Sequence, residues 1–226
     1  MTFDLEKEAL IASDLRDQDL IREYLSKLDS VLRLCCPKGT RNFPPLARAE
    51  KLFKALWRKW PNRYLSQGHF RLNNVIDAQL SKKKRAVGNC LGLTLLYNCL
   101  LKKMGIEAQT LYLENAFGIG PHVLTVLRVD DFIIDIENIL PEGFDYKGHK
   151  QIPSRLMWGD KELVADIYQS KGTELFEKGE FGEALKNYDM ALKLNPKYEK
   201  ARLNKTILLD RMVMTGKFDL INQIDH

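Results

Sequence analysis

The sequence has no apolar run approaching the roughly 20 residues that a membrane-spanning helix needs. Nor does it open on a basic stretch followed by an apolar one. Residues Met1 to Leu10 alternate acidic and apolar types, so no secretory leader is expected, and a cytoplasmic location is. Cysteine and histidine are scarce, four of each in 226 residues. There is no CxxC, and the adjacent Cys35 and Cys36 are an awkward disulfide pair. Neither a disulfide framework nor a zinc site is expected, and no other cofactor is called for; in a reducing compartment the cysteines are free thiols. Charge of one sign is not abundant either, since the net charge is only +5, which does not by itself demand nucleic acid or a membrane as partner. The basic run Ser81, Lys82, Lys83, Lys84, Arg85 lacks the interleaved aromatics of a single-strand binder and reads as a solvated loop.

What is present is a globular balance, with 45% hydrophobic and 29% charged residues, in a length that suits one domain of ordinary size plus a small appendage. Leu20, Ile21, Tyr24, Leu25, Leu28, Val31, Leu32 and Leu34 recur at helical spacing, with Ser13 or Asp14 as the expected cap. The prolines and glycine between Pro37 and Pro45 break that helix. A second helix runs through Leu46, Ala49, Leu52, Phe53, Leu56 and Trp57, and a third spans about Leu72 to Leu80. Cys90 opens the most apolar helix, through Leu101, which should be central. After Gly105 the period changes to that of strands: Ile106 to Leu113, Val123 to Val129, and Phe132 to Glu137, with Asp130 and Asp131 as a hairpin turn. Residues 140–158 read as irregular, and helix returns at about Leu163. Helices first and antiparallel strands afterwards give an α+β class.

A thiol nucleophile is activated at a helix N-terminus, where oriented N–H groups favour the anion, and it needs a base and an orienting acid from elsewhere in space. Cys90 sits at such a helix start, and His122 opens a strand just after Gly120 and Pro121. If Asp130 and Asp131 form the turn, Val129 pairs with Phe132, and both Asp135 and Glu137 point to the side of His122. Glu137 then lies one diagonal step from His122, with Asp135 two residues further on. A cysteine inside an apolar helix is more often a small core residue, which is the expectation for Cys99.

Near the C-terminus, Tyr168, Gly172, Leu175, Ala184, Tyr188, Ala191 and Pro196 stand at the spacings of one tetratricopeptide repeat, which this segment resembles. Gly172 and Ala184 would let two antiparallel helices approach, and Lys178, Gly179 and Glu180 supply their turn. A following helix, Tyr198 to Met214, reads as a cap ended by Gly216.

The core shows a resemblance as well. Phe70 to Ile76, Gly88 to Tyr97, Leu100, Met104 to Ile106, and Pro121, His122, Val123 together look like the bacterial transglutaminase-like core of the SirB type. Members of that family often carry tetratricopeptide repeats after the core. In many relatives other residues stand at the cysteine position; this chain keeps Cys90 and His122. The resemblance implies a papain-like fold, with Cys90 as nucleophile, His122 as base, and Glu137 or Asp135 as the acid. Asn73, Asn74 or Asn89 would add an oxyanion donor to the Cys90 N–H. The implied activity is amide hydrolysis or acyl transfer on a peptide-like substrate. The competing expectation is a catalytically silent scaffold that holds a peptide or protein through its repeat helices. The expected boundaries are an N-terminal helical segment at 1–45, the transglutaminase-like core at 46–150, a linker at 151–163, and the repeat with its capping helix at 164–226.

Overall fold

A computed structural model of the chain describes residues 3–36, 42–59, 62–83, 86–129 and 132–215. In chain order it contains α1 (Leu5–Ala12), α2 (Gln18–Cys35), α3 (Pro45–Lys59), α4 (Leu72–Leu80), α5 (Cys90–Lys103), β1 (Gln109–Ala116), β2 (Gly120–Val129), β3 (Phe132–Ile136), β4 (Arg155–Trp158), α6 (Asp160–Glu177), α7 (Phe181–Leu194) and α8 (Glu199–Met214). Two compact units result, Met1–Asp160 and Lys161–His226. The first mixes helices with an antiparallel sheet. Among the described residues no helix is long and apolar enough to cross a membrane.

The N-terminal helices differ from the sequence expectation in one respect. Neither Ser13 nor Asp14 caps the long helix. Asp17 does, its Oδ1 accepting from the N–H groups of Asp19 and Leu20 at 2.7 and 3.0 Å, which satisfies two of the unpaired first-turn donors. Ser13 instead ends the short preceding helix, α1. Its hydroxyl donates to Ala9 O at 2.7 Å and accepts from Leu72 N at 2.9 Å, tying α1 to the start of α4. The turn residues Asp130 and Asp131, Lys84 and Arg85 of the basic run, most of the Pro37–Pro45 break, and Gly216 lie outside the described residues.

The sheet has the order β3-β2-β1-β4. The residues 140–158, expected to be irregular, end in β4, an edge strand pairing Thr110 with Trp158 and Leu113 with Arg155. The β2–β3 register places Val129 opposite Phe132 and Val126 opposite Asp135. Helix α5 is buried from Leu91 to Leu101 and is held in register on the sheet by a buried polar network. Asn98 donates to Thr110 Oγ1 at 3.0 Å and accepts from Thr125 Oγ1 at 2.6 Å. Asn138 donates to Thr125 Oγ1 at 2.8 Å and to Thr94 Oγ1 at 3.2 Å. Apolar burial alone would let an all-round apolar helix slide or rotate; directional bonds in a low-dielectric interior oppose that. The helix start and the residue just before Asn138 are thereby set relative to each other.

In the second unit α6, α7 and α8 bury Phe181, Ala184, Leu185, Tyr188, Leu208 and Met212 as one cluster. Tyr188 lies against Gly172: a Cβ there would sit 2.5 Å from the ring, so only glycine lets the two helices come this close. Tyr198 donates from its hydroxyl to the buried Asp166 carboxylate at 2.6 Å. Substituting Gly172→Ala is expected to destabilise this unit by about 1–2 kcal/mol. Overpacking against a ring that cannot withdraw costs about 1–3 kcal/mol, and the better helix propensity of alanine returns up to about 1 kcal/mol. Urea denaturation, followed by amide exchange in α6 and α7, checks this; an unchanged or raised midpoint would contradict the close approach.

Candidate thiol site

Cys90 is the first residue of α5. Asn89 caps the helix in an extended conformation, its Oδ1 accepting from Gly92 N at 3.0 Å. Leu93 N donates to Asn89 O at 2.9 Å. The amides of Cys90 and Leu91 therefore precede the first intrahelical bond and face forward at the positive end of the helix dipole. The thiol is half-buried. Folding brings it near the imidazole of His122, close enough for the thiol to favour the charged ring.

The other side of that ring meets Glu137. His122 Nε2 lies 2.9 Å from Oε1 and 2.8 Å from Oε2. With Nε2 engaged there, Nδ1 is the ring atom left for the thiol. His122 is 7% exposed and Glu137 0%. Burial works against a charged imidazole, yet the hydrogen bonds to Cys90 and Glu137 and their negative charge outweigh it, and His122 is pushed up to about 10. Burial likewise opposes the Glu137 carboxylate, but hydrogen bonds from His122 and His149 hold it below its ordinary value. Tyr64 stands at the rim, its phenol raised by burial and by the neighbouring Cys90 and Glu137.

Asp135 is engaged elsewhere. Its two oxygens accept from Arg155 Nη2 at 2.9 and 3.0 Å, and Lys150 Nζ is 3.2 Å away. Of the three asparagines, Asn89 uses its carbonyl oxygen as the helix cap. Asn73 and Asn74 lie in the first turn of α4, and the buried Oδ1 of Asn73 has no hydrogen-bond partner.

One member of the cluster was not anticipated. His149, 2% exposed, places Nε2 2.8 Å from Glu137 Oε2. Phe117 packs edge-on against both imidazoles, 5.6 Å from His122 and 4.7 Å from His149 between ring centres. The only sequence signal for His149 is that it is one of four histidines, beside Gly148 in a stretch without periodicity. Although the sequence holds no tight Cys/His cluster, folding gathers two of its four histidines on one carboxylate. His122, Glu137 and His149 offer three ligand atoms within 4.8 Å of one another. An ion held tetrahedrally at about 2.0–2.1 Å would set such atoms about 3.3 Å apart. The N···O separations of 2.8 Å are hydrogen-bond lengths instead.

A cavity of about 790 Å³ lies at the opposite end of α5, lined by Asn98, Lys102, Gln109 and Arg128 among others. It contains none of the thiol-site residues.

No curated protein and no solved structure matches the chain. Residues 165–198, the helix pair closed by Gly172 and Tyr188, match the tetratricopeptide repeat family, a class of protein-interaction module.

Proposed function

We propose that the chain docks a polypeptide partner through its repeat unit and carries, in its α+β unit, a papain-like thiol site for amide hydrolysis or acyl transfer. The repeat match at 165–198 supports the first half. The second half is carried by one observation, the buried His122–Glu137 pair, 2.9 and 2.8 Å from ring nitrogen to the two carboxylate oxygens, beside the half-buried Cys90 thiol at the start of α5. In this reading His122 takes the thiol proton at Nδ1 as the sulfur attacks an acyl carbon. Glu137 keeps Nε2–H directed away from the thiol and stabilises the imidazolium. The Cys90 and Leu91 amides receive the oxyanion. The imidazolium then protonates the departing amine as the C–N bond breaks. Water or a second amine, deprotonated by His122, attacks the thioester and frees the thiol.

The test compares two half-buried thiols. Among the described residues Cys36 has no imidazole partner, and burial raises it despite the charge of Arg48. Iodoacetamide at pH 7 should modify Cys90 at least about 10-fold faster than Cys36, read by peptide mass spectrometry, because the thiolate is the reacting species. Equal rates would leave the second reading, a silent scaffold acting through its repeat helices. That reading draws on the family match, which covers the repeat and not the core.

A further inference from the structure

We propose that His149 is a positioning residue of the thiol site, clamping the Glu137 carboxylate against His122, and that Asp135 holds the clamp in place through Arg155. This rests on the thiol reading of Cys90 given above.

The argument starts from what a buried carboxylate requires. Glu137 has no exposure, and an ionised carboxylate without water needs two or more donors to remain charged. His122 Nε2–H reaches both oxygens, but one N–H serving two acceptors leaves the group free to pivot. The backbone N–H of Ile139 adds only a long contact of 3.4 Å to Oε1. His149 Nε2–H supplies the second short bond, 2.8 Å to Oε2, and fixes the carboxylate plane. The His149 ring is itself confined, edge-on to Phe117 and to Tyr146 at 4.7 and 4.9 Å between centres.

His149 sits in a loop, and what holds that loop is the other carboxylate of β3. Arg155 Nη2 binds both oxygens of Asp135, while Nη1 of the same guanidinium donates to the His149 carbonyl at 2.8 Å. The backbone of Tyr146 donates to Asp135 O at 2.8 Å. A rigid, planar guanidinium spanning two acceptors transmits position better than a flexible ammonium would. The two acids that alternate along one face of the hairpin therefore have separate tasks: Glu137 meets the base, and Asp135 anchors the loop that orients Glu137.

Among the described residues, the ionisable groups around the Glu137–His149 pair are Cys90 from α5, His122 from β2, Tyr64 at the rim, and Arg155 from β4, whose guanidinium holds the His149 carbonyl and Asp135. Tyr146 packs on His149 from its own loop. His122 already donates to Glu137, and Arg155 is engaged by Asp135 and the His149 carbonyl, so neither replaces the lost donor, and loss of His149 should let Glu137 become neutral at a higher pH. The acid limb of Cys90 reactivity would follow.

Two variants separate a lost donor from a lost shape. His149→Phe fills the slot between Phe117 and Tyr146 without an N–H, and His149→Gln restores a donor. In a Cys90→Ala background, a 13C titration of the Glu137 carboxyl should show a midpoint raised by about one unit or more in His149→Phe and largely restored in His149→Gln. That readout stands whether or not the thiol reacts, so failure of the thiol reading and failure of the clamp are distinguishable. With Cys90 present, the iodoacetamide rate at pH 5 should fall about 10-fold in His149→Phe and return to within about 3-fold in His149→Gln. Asp135→Asn should shift the Glu137 midpoint in the same direction by a smaller amount. Unmoved midpoints in His149→Phe would overturn the proposal. So would one equivalent of tightly bound zinc in the purified chain that His149→Phe abolishes, since the three side chains would then be metal ligands.

Discussion

Replacing Glu137 by glutamine should lower the titration midpoint of His122 by about one to three units from its value of about 10. An opposite charge within hydrogen-bonding distance shifts a pKa by about that amount. The substitution keeps the size of the side chain and removes its charge, while the burial of His122 remains and is then opposed by Cys90 alone. An amide also presents both a donor and an acceptor where two imidazole N–H groups require acceptors only, so at least one bond of the cluster is lost. Turnover, if the thiol site is catalytic, should fall by roughly 10²-fold or more at pH 7, within the range attributed to a positioned acid–base group. An NMR titration of the His122 ring measures the midpoint directly. A midpoint still near 10 would mean that Glu137 is not what holds the ring charged. Asp135→Asn is the control. Its carboxylate is on Arg155 rather than on His122, so it should move the ring less.

The same groups make stability depend on pH, and the two signs are opposite. His122 is raised from 6.5 to about 10. The stability it contributes is fully present below about 6.5 and is lost as the pH rises through about 10. Glu137 is lowered from 4.5. Its contribution is present above about 4.5 and is lost as the pH falls below that. The pair therefore contributes most between about pH 4.5 and 6.5. Glutamine at 137 should flatten both flanks of the stability profile measured by urea denaturation.

Much of this site could be read from residue order because its parts lie on regular elements. Runs rich in β-branched residues on either side of two aspartates set Val129 opposite Phe132, and that register brings Glu137 diagonally within reach of His122. A cysteine after Gly-Asn at the head of an apolar stretch places a thiol at a helix N-terminus. The close pair Gly172 and Tyr188 was legible because both sit at fixed offsets within a repeat. His149 was not legible, because an ion pair between residues 20 apart, Arg155 and Asp135, positions its loop, and no local spacing encodes that. Strand β4 was missed because it is four residues long and at an edge, with Leu156 and Met157 both exposed, so no alternation marks it. The first strand starts later than its apolar residues suggest. Ile106 N donates to Leu101 O and Gly105 N to Lys102 O, at 3.0 and 2.9 Å, the paired bonds that close a helix C-terminus. Ile106 thus finishes α5 instead of opening β1.

The steric counterpart of the charge argument lies at Gly92, two residues into the helix from Cys90. A Cβ there would stand 2.2 Å from His69 O and 2.7 Å from Val75 Cγ2. The same His69 carbonyl accepts the amide of Asn89 at 3.0 Å, so the segment that crosses the helix start cannot back away without breaking that bond. Helix α5 cannot back away either, because Asn98 and Thr94 lock it to the sheet. Gly92→Ala should therefore cost about 3 kcal/mol or more, the upper end of what overpacking does in a rigid interior, despite gaining up to about 1 kcal/mol in helix propensity. Gly105→Ala supplies the comparison. It meets nothing within 4 Å but has φ +69°, and a left-handed alanine costs about 1–2 kcal/mol. Thermal unfolding of both variants ranks them; a Gly92→Ala chain no less stable than Gly105→Ala would refute the packing described. Where the Gly92 variant does fold, the strain should appear at Cys90 as well. The displaced helix start carries the thiol away from His122, and preferential modification of Cys90 over Cys36 should be lost together with stability.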